Sequence, residues 1–230
     1  MLNYLTLIQS VYCMENYKQE FIQFSLAEGV LKFGEFKLKS GRISPYFFNV
    51  GLFNSGESIH QLGQFYAKAL IASQLEYDML FGPAYKGISI VTSLASALSR
   101  DHQIDKPFAF NRKEMKDHGE KGLTVGAEIK GRVVIVDDVI TAGTAVNECA
   151  RLITQLGGTL VGILISLDRQ ERGHTNLSAT AEVASKLNVP VVAIANLDDL
   201  INHLESGDSE ADNYLQDIKK YRQRYGAVNN

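Results

Sequence analysis

Two hydrophobic patterns alternate along the chain. In one, apolar residues recur at helical spacing, which predicts amphipathic helices; in the other, short apolar runs end at glycine, proline or charged residues, which predicts buried strands. The segments with helical spacing are Glu15–Leu31, Ser58–Gln74, Ile88–Leu98 and Val146–Leu156. The short apolar runs are Tyr77–Gly82, Phe108–Phe110, Arg132–Asp137, Leu160–Leu167 and Val191–Leu197. Because strands and helices alternate, the pattern predicts an α/β fold with a mostly parallel central sheet.

Three regions depart from this alternation. Residues 33–51 alternate aromatic and β-branched residues with polar ones on either side of Ser40 and Gly41, which predicts an antiparallel hairpin. Residues 112–122 are highly charged, contain glycines and have no apolar period, so we expect an exposed loop there. From Asp198 to Tyr225 the chain predicts two polar helices.

The organisation of the chain indicates one domain. The four prolines are scattered rather than gathered in a linker, and 230 residues suffice to bury a single core. The first fourteen residues carry no charge, and the amphipathic pattern begins only after Met14. We therefore expect residues 14–230 to form a single domain and residues 1–13 to be an extension outside its core.

Composition and charge exclude several classes of protein. With 45% hydrophobic residues, 21% charged residues and a net charge of −3, the chain is neither disordered nor a general nucleic-acid-binding surface. The two cysteines, Cys13 and Cys149, form no C-x-x-C pair, so neither a disulfide framework nor a zinc site is predicted and a reducing cytoplasm is favoured. The longest uncharged stretch, Leu152–Leu167, is too short to span a membrane. We expect a cytoplasmic protein with no nucleic-acid partner and no membrane partner.

The most informative segment for chemistry is VVIVDDVITAGTA, residues 133–145. Asp137 and Asp138 end a buried strand, and a loop containing Gly143 opens the next helix. Backbone N–H groups at a helix N-terminus suit a phosphate, and Thr141 and Thr144 add hydroxyl donors. Two carboxylates beside such a loop suit sugar hydroxyls or a metal ion. The alternative is that Asp138 and Thr141 merely cap the helix and that Asp137 is a solvated residue at the end of the strand.

Two familiar phosphate-binding motifs are absent. Residues 82–87, GPAYKG, have the glycine spacing of a P-loop, but Ile88 stands where that motif requires lysine. The G-x-G-x-x-G fingerprint of dinucleotide-binding folds does not occur either. The phosphate site predicted here is therefore of another type.

Residues 133–145 resemble the loop that binds 5-phosphoribosyl-1-pyrophosphate (PRPP) in type I phosphoribosyltransferases. Four further segments, LKSGRISPYFFN (38–49), GPAYKG (82–87), RKEMKDHGEKG (112–122) and DRQERG (168–173), occur in the order found in orotate phosphoribosyltransferases. The resemblance covers nearly everything after Met14 and implies the type I fold, a parallel sheet flanked by helices with a small N-terminal hood. It also implies transfer of the phosphoribosyl group from PRPP to orotate, with release of pyrophosphate.

The resemblance assigns roles to individual residues. It implies catalytic roles for Lys116, His118, Asp137 and Asp138. It implies PRPP binding by Lys39, Tyr85, Lys86, Arg112, Lys113, Lys116 and His118 and by the loop residues Asp137, Asp138, Val139, Ile140, Thr141, Ala142, Gly143, Thr144 and Ala145. It implies orotate binding by Lys39, Phe47, Phe48, Thr141 and Arg169. Mg²⁺ is the implied cofactor, held mainly through PRPP with no direct protein ligand assigned, and the 112–122 loop is implied to reach across a homodimer into the neighbouring site.

Taken singly, several of these residues have simpler interpretations. Phe47 and Phe48 could be a core aromatic pair, Lys39 and Arg169 surface charges, and the 112–122 loop a solvated surface. Two other functions also stay open. One is transfer to a purine or to uracil, since the PRPP loop is shared by such enzymes. The other is a PRPP-sensing regulator that binds nucleic acid, which the net charge of −3 and the intact loop cations disfavour.

Overall fold

The computed structural model describes residues 17–114, 122–206 and 214–227. The predicted extension, residues 1–13, and two of the predicted site residues, Lys116 and His118, lie outside these ranges. The first helix, α1, runs over residues 17–27 and is shorter at its C-terminal end than predicted. It ends because Gly29 takes a φ of +65°, which turns the chain so that Leu31 already begins a strand.

The predicted hairpin is confirmed. Strand β1 (Leu31–Lys37) pairs antiparallel with β2 (Ile43–Phe48), and the turn between them is closed by the Leu38 N–H donating to the Arg42 carbonyl at 2.9 Å. This two-stranded sheet is separate from the central sheet. We call the β1–β2 hairpin the hood.

In the part of the chain that the structure describes, the central sheet has six strands in the order β5-β4-β3-β6-β7-β8. They are β3 (Met79–Gly82), β4 (Phe108–Asn111), β5 (Thr124–Gly126), β6 (Gly131–Val136), β7 (Gly158–Asp168) and β8 (Val191–Asn196). Every neighbouring pair is parallel except β4 and β5. The mostly parallel sheet is thus confirmed. The antiparallel β5 escaped prediction because it has three residues, of which only Val125 is strongly apolar.

Within the described ranges, six further α-helices surround this sheet: α2 (Gly56–Ala72), α3 (Lys86–His102), α4 (Thr144–Gln155), α5 (Ala179–Leu187), α6 (Leu197–Glu205) and α7 (Leu215–Tyr225). A short 3-10 helix, Val50–Leu52, follows β2. The two predicted C-terminal helices are confirmed as α6 and α7. Helix α4 begins at Thr144, two residues before its predicted start, so the expected turn over residues 141–145 is partly helical. Helix α5 was not predicted because its nine residues bury only Thr180 and Val183. None of the helices in the described ranges is long and apolar enough to cross a membrane.

The core lies on both faces of the sheet. Along β6, Val134 and Val136 face one cluster, which contains the apolar sides of α1, α2, α3, α6 and α7 and part of the hood. Val133 and Ile135 face the other cluster, under α4 and α5. Because β3, β4, β6 and β7 are parallel to one another, the loops that follow them all open at one edge of the sheet, where ligands bind in such folds. We call this edge the carboxyl edge.

Candidate functional site

The acidic pair, Asp137 and Asp138, directly follows β6 and continues its hydrogen bonding to β7. The Asp137 N–H donates to the Leu164 carbonyl of β7 at 3.0 Å, and the Asp137 carbonyl accepts from the Tyr66 hydroxyl at 2.7 Å. The Asp137 side chain is buried, and its Oδ1 accepts from the Asp138 N–H at 2.9 Å. The hydrogen bonds of the Asp137 backbone to Leu164 and Tyr66, together with the Asp138 N–H, therefore hold this carboxylate in position.

The charge state of Asp137 is unusual. Burial and the neighbouring charge of Asp138 raise the pKa of Asp137 from 3.8 to about 7. The Asp138 N–H and the ammonium group of Lys86 oppose this shift. This carboxyl can consequently change its protonation state near neutral pH.

Asp138 lies in a different environment. One carboxylate oxygen, Oδ2, is 2.6 Å from Lys86 Nζ, and the other accepts from the Val139 N–H at 2.8 Å. The Asp138 carbonyl accepts from the Ser166 N–H at 2.9 Å and also from the Ser166 hydroxyl. The Val139 N–H thus holds the carboxylate of Asp138 in place beside the ammonium group of Lys86.

The loop that follows leads into the N-terminus of α4. Gly143, the N-cap of α4, has a φ of +69°, and a Cβ atom there would lie 2.5 Å from Val183 of α5, so only glycine fits. No side chain of the described residues caps α4, so Asp138 and Thr141 do not act as its caps. The first N–H groups of α4 are therefore available to a ligand or to water.

The loop surrounds a concavity of about 210 Å³. Its lining residues are Asp137, Val139, Ile140, Thr141, Ala142, Gly143, Thr144, Ala145 and Val146. Ile140 has its side chain in the core, so it can contribute only backbone atoms, whereas Thr141 and Thr144 are exposed. A small anion with several acceptor oxygens suits this lining.

Glycines place the loop between β3 and α3 close to the acidic pair. A Cβ atom at Gly82 would lie 2.2 Å from the Gly87 carbonyl, and one at Gly87 would lie 3.0 Å from the Val136 carbonyl. This close approach brings the start of α3, which also has no side-chain cap, to the end of β6. Lys86 reaches Asp138 from there.

The same loop meets the start of the charged 112–122 segment. Lys113 Nζ lies 4.7 Å from the centre of the exposed Tyr85 ring, and the Ala84 N–H donates to Asn111 Oδ1 at 2.8 Å. Arg112 donates through Nη1 to the Gly122 carbonyl at 3.3 Å. The structure therefore brings together the predicted residues Tyr85, Lys86 and Lys113, next to Arg112.

Arg169 follows β7 and faces the hood. Its Nη2 donates to Ser44 Oγ at 2.9 Å, its Nε donates to Glu171 Oε1 at 2.7 Å, and its guanidinium lies 4.1 Å above the centre of the Tyr46 ring. Burial lowers the pKa of Arg169, but Tyr46 and Glu171 more than offset this and raise it above its usual value. Arg169 is thus a largely enclosed, permanently charged residue and not the surface charge that its type alone suggests.

The predicted binding residues of the hood differ in which of their atoms a ligand can contact. Because side chains alternate along β2, the Phe47 ring is exposed and stacks on Phe36 with 5.5 Å between the ring centres, whereas Phe48 is buried against Phe21. The core interpretation is therefore correct for the side chain of Phe48, which can face a ligand only through its backbone. Lys39 lies in the exposed hood turn and makes no hydrogen bond or ion pair with another described residue.

Sequence reasoning missed four residues that hold the predicted ones: Ser44, Tyr66, Ser166 and Glu171. Ser166 had a usable signal, because it is the one polar side chain in the apolar run of β7. Tyr66 had none, since a tyrosine on the apolar face of a helix is usually a packing residue. Glu171 had none either, because its distant partner Arg42 meets it only in the folded chain.

Comparisons with known proteins agree on the family. A family model for the phosphoribosyl transferase domain matches residues 54–186. The chain is 55% identical over 213 residues, 93% of its length and the full length of the relative, to the orotate phosphoribosyltransferases of Escherichia coli O139:H28 and of Yersinia enterocolitica serotype O:8. The crystal structure of orotate phosphoribosyltransferase from Francisella tularensis is similar with a TM-score of 0.81 and 42% identity, covering 90% of this chain and 99% of that one.

Proposed function

The chain belongs to the orotate phosphoribosyltransferase family, and we propose that the residues at the carboxyl edge of its sheet transfer the 5-phosphoribosyl group of PRPP to orotate. The products are orotidine 5′-monophosphate and pyrophosphate, in a step of pyrimidine nucleotide synthesis. The reaction breaks the bond between the ribose C1 and the pyrophosphate oxygen and forms a bond from C1 to a ring nitrogen of orotate. The domain that carries the reaction is residues 14–230.

The loop from Asp137 to Ala145 binds the 5-phosphate. Its support is the uncapped N-terminus of α4 together with the exposed hydroxyls of Thr141 and Thr144 around the 210 Å³ concavity. Backbone N–H groups and the helix dipole both favour a dianion there. Val139, Ile140, Ala142 and Gly143 act through their backbone.

Asp137 and Asp138 accept hydrogen bonds from the ribose hydroxyls. As pyrophosphate leaves, the ribose gains oxocarbenium character and therefore positive charge. Carboxylates fixed near the ring stabilise that charge. Both carboxylates are fixed by hydrogen bonds before substrate binds, so little reorganisation is required during the reaction.

Cations hold the leaving pyrophosphate. Lys86 lies beside Asp138, and Tyr85, Arg112 and Lys113 lie at the adjoining loops. Lys116 and His118 complete this set of cations and lie beyond the described part of the loop. His118 can donate a proton to the leaving pyrophosphate, and Lys116 can neutralise its negative charge. We propose that the protein is a cytoplasmic homodimer in which this loop serves the neighbouring subunit's site.

Mg²⁺ is the proposed cofactor and binds mainly with PRPP. The described residues contain no group of three or more His, Cys, Asp or Glu side chains that could hold a metal ion, and the paired carboxylates Asp137 and Asp138 are the hard oxygen donors closest to the proposed ribose position. When bound, Mg²⁺ neutralises charge on the pyrophosphate.

Orotate binds between the hood and Arg169. Arg169 donates to its carboxylate, Lys39 and Thr141 provide further donors, and the exposed face of Phe47 and the backbone of Phe48 contact the planar ring. The carboxylate distinguishes orotate from uracil, which has no anionic group to form an ion pair with this guanidinium.

The observation that carries this proposal is the ion pair between Lys86 and Asp138, because it joins the segment that holds the leaving group to the segment that holds the ribose. The test is the loss of orotate absorbance with purified protein, PRPP and Mg²⁺, with omission of each component and a panel of other bases. Loss that needs all components supports the proposal. Turnover of another base but not of orotate would overturn the acceptor assignment, and no turnover of any base would overturn the enzymatic function.

A further inference from the structure

Arg169 has only part of its guanidinium available to a ligand. Nε and Nη2 both contact Glu171 Oε1, at 2.7 Å and 2.6 Å, and Nη2 also donates to Ser44 Oγ. The ring of Tyr46 covers one face of the guanidinium. None of these contacts to Glu171 and Ser44 uses Nη1, so we assign donation to a substrate to this nitrogen.

Glu171 is itself held from two sides. Its second oxygen, Oε2, lies 3.3 Å from Nη1 of Arg42 in the hood, and Arg42 also donates to the Arg172 carbonyl at 3.1 Å. The side chains of Arg169 and Glu171 are only 13% and 14% exposed, so their charge-assisted bonds are largely shielded from water.

The C-terminal segment holds the backbone around Glu171. Glu171 and Gly226 form an antiparallel bridge, the Arg172 N–H donates to the Tyr225 carbonyl, and the Ala227 N–H donates to the Gln170 carbonyl, both at 2.9 Å. Arg42 also lies 5.2 Å from the centre of the Tyr225 ring. The hood and the segment after α7 therefore meet at Glu171.

We propose that Glu171 is a positioning residue that aims Nη1 of Arg169 at the carboxylate of the acceptor base, and that the hood and residues 225–227 keep Glu171 in place. This inference rests on the proposed function. The contact between Arg169 and the acceptor carboxylate is then a single hydrogen-bonded ion pair through Nη1, because Glu171 and Ser44 already occupy Nε and Nη2. Glu171 touches no substrate and acts only through Arg169.

The test compares two nucleotides that differ only in the carboxylate. Orotidine 5′-monophosphate and uridine 5′-monophosphate share the phosphate and ribose, so the ratio of their dissociation constants reports the carboxylate contact alone. In Glu171→Gln the amide keeps the shape of the side chain but loses the charge that strengthens its bonds to Arg169. We expect the preference for orotidine 5′-monophosphate, measured by isothermal titration calorimetry, to fall about tenfold, while uridine 5′-monophosphate binds as in the wild type.

Two further variants separate positioning from a general loss of structure. Glu205→Gln removes the ion pair between Glu205 and Lys219, which joins α6 to α7 at 2.6 Å, and should leave the preference unchanged. In a double-mutant cycle, adding Glu171→Gln to Arg169→Ala should cause no further loss, because Glu171 acts through Arg169. Ser44→Ala is a smaller change that removes one of the two acceptors for Nη2. It should also lower the preference for orotidine 5′-monophosphate.

The outcomes are distinct. A wild-type preference for orotidine 5′-monophosphate that Glu171→Gln leaves unchanged or increases would overturn the positioning role and leave the proposed function standing. An additional loss in the double variant would likewise overturn it. A wild-type protein that neither converts orotate nor prefers the carboxylated nucleotide would overturn the proposed function and this inference together.

Discussion

Lys86 Nζ lies 2.6 Å from the carboxylate of Asp138, although the two residues are 52 positions apart, Lys86 at the start of α3 and Asp138 in the loop after β6. The Lys86 side chain is 49% exposed, whereas that of Asp138 is 14% exposed. The lysine can therefore turn towards an incoming phosphate while the carboxylate stays in place. Its charge also helps to hold down the pKa of the neighbouring Asp137.

The use of PRPP should depend on the ionisation of Asp137. A carboxylate accepts hydrogen bonds from hydroxyls better than a carboxylic acid does, and the pKa of Asp137 is about 7. We expect kcat/KM for PRPP to fall as the pH drops below about 7, and Lys86→Met, which removes a charge that lowers this pKa, to move the fall to higher pH. The measurement is the pH profile of kcat/KM, and a shift to lower pH in Lys86→Met would contradict the assignment.

Ionisation of Asp137 should also lower the free energy of unfolding as the pH rises. The pKa of Asp137 in the folded protein is raised from 3.8 to about 7, so the folded state binds the proton more tightly and this group makes the protein less stable as the pH rises from about 4 to about 7. Asp137→Asn removes a buried charge. We expect it to raise the free energy of unfolding by ~2 kcal/mol at pH 8 and to have little effect at pH 4, measured by urea denaturation. The exposed Asp105→Asn is the matched control, and equal effects of the two substitutions would argue against the raised pKa.

The Tyr66 hydroxyl should support PRPP binding through the backbone. It is fully buried and donates to the Asp137 carbonyl, so Tyr66→Phe leaves that carbonyl without its partner. We expect a loss of ~1–3 kcal/mol in the free energy of unfolding and a severalfold fall in kcat/KM for PRPP. Tyr46→Phe is the stability control, because the equally buried Tyr46 hydroxyl has no hydrogen-bond partner among the described residues. A larger loss of stability in the control would refute the explanation.

A loop shared between subunits predicts complementation. Lys116→Ala should impair the loop and Asp137→Asn the ribose site, and each variant alone should turn over orotate poorly. If the loop serves the neighbouring subunit, subunits mixed in equal amounts and refolded should recover roughly a quarter of wild-type activity, because half of the dimers are mixed and each has one intact site. Orotate consumption before and after mixing measures this. No recovery in demonstrably mixed dimers would place Lys116 in the site of its own subunit.

Removal of residues 1–13 should have little effect. The amphipathic pattern begins only after Met14, and the described helix α1 packs on the core through Phe21 and Ile22. We expect kcat for orotate and the melting temperature of the shortened protein to match those of the full chain. A drop of many degrees in melting temperature would show that the segment belongs to the core.

The phosphate side of the site could be predicted from sequence because it is local. Asp137, Asp138 and Gly143 lie within seven positions, and strand, loop and helix follow one another directly. The glycine spacing of residues 82–87 was also visible, although its physical reason, the close approach of β3, α3 and β6, appears only in three dimensions.

The acceptor side could be predicted less well because its contacts are distant. Arg169 and Ser44 are 125 positions apart, and nothing in either segment alone indicates that they meet. Phe47 and Phe48 were assigned together, but the alternation along β2 gives their side chains opposite surroundings. The alternation itself was visible, and could have separated them.

The pairing of Arg42 with Glu171 bears on the order in which the site forms during folding. These residues are 129 positions apart, whereas Asp138 and Ser166 are 28 apart, so closing the hood onto Glu171 requires a much longer loop and a larger entropy loss than assembling the phosphate loop. We therefore expect a refolding chain to reach a competent phosphate loop before a competent acceptor pocket. Selection of the base would then arise after recognition of the phosphate, and substitutions that slow docking of the hood should delay only the former.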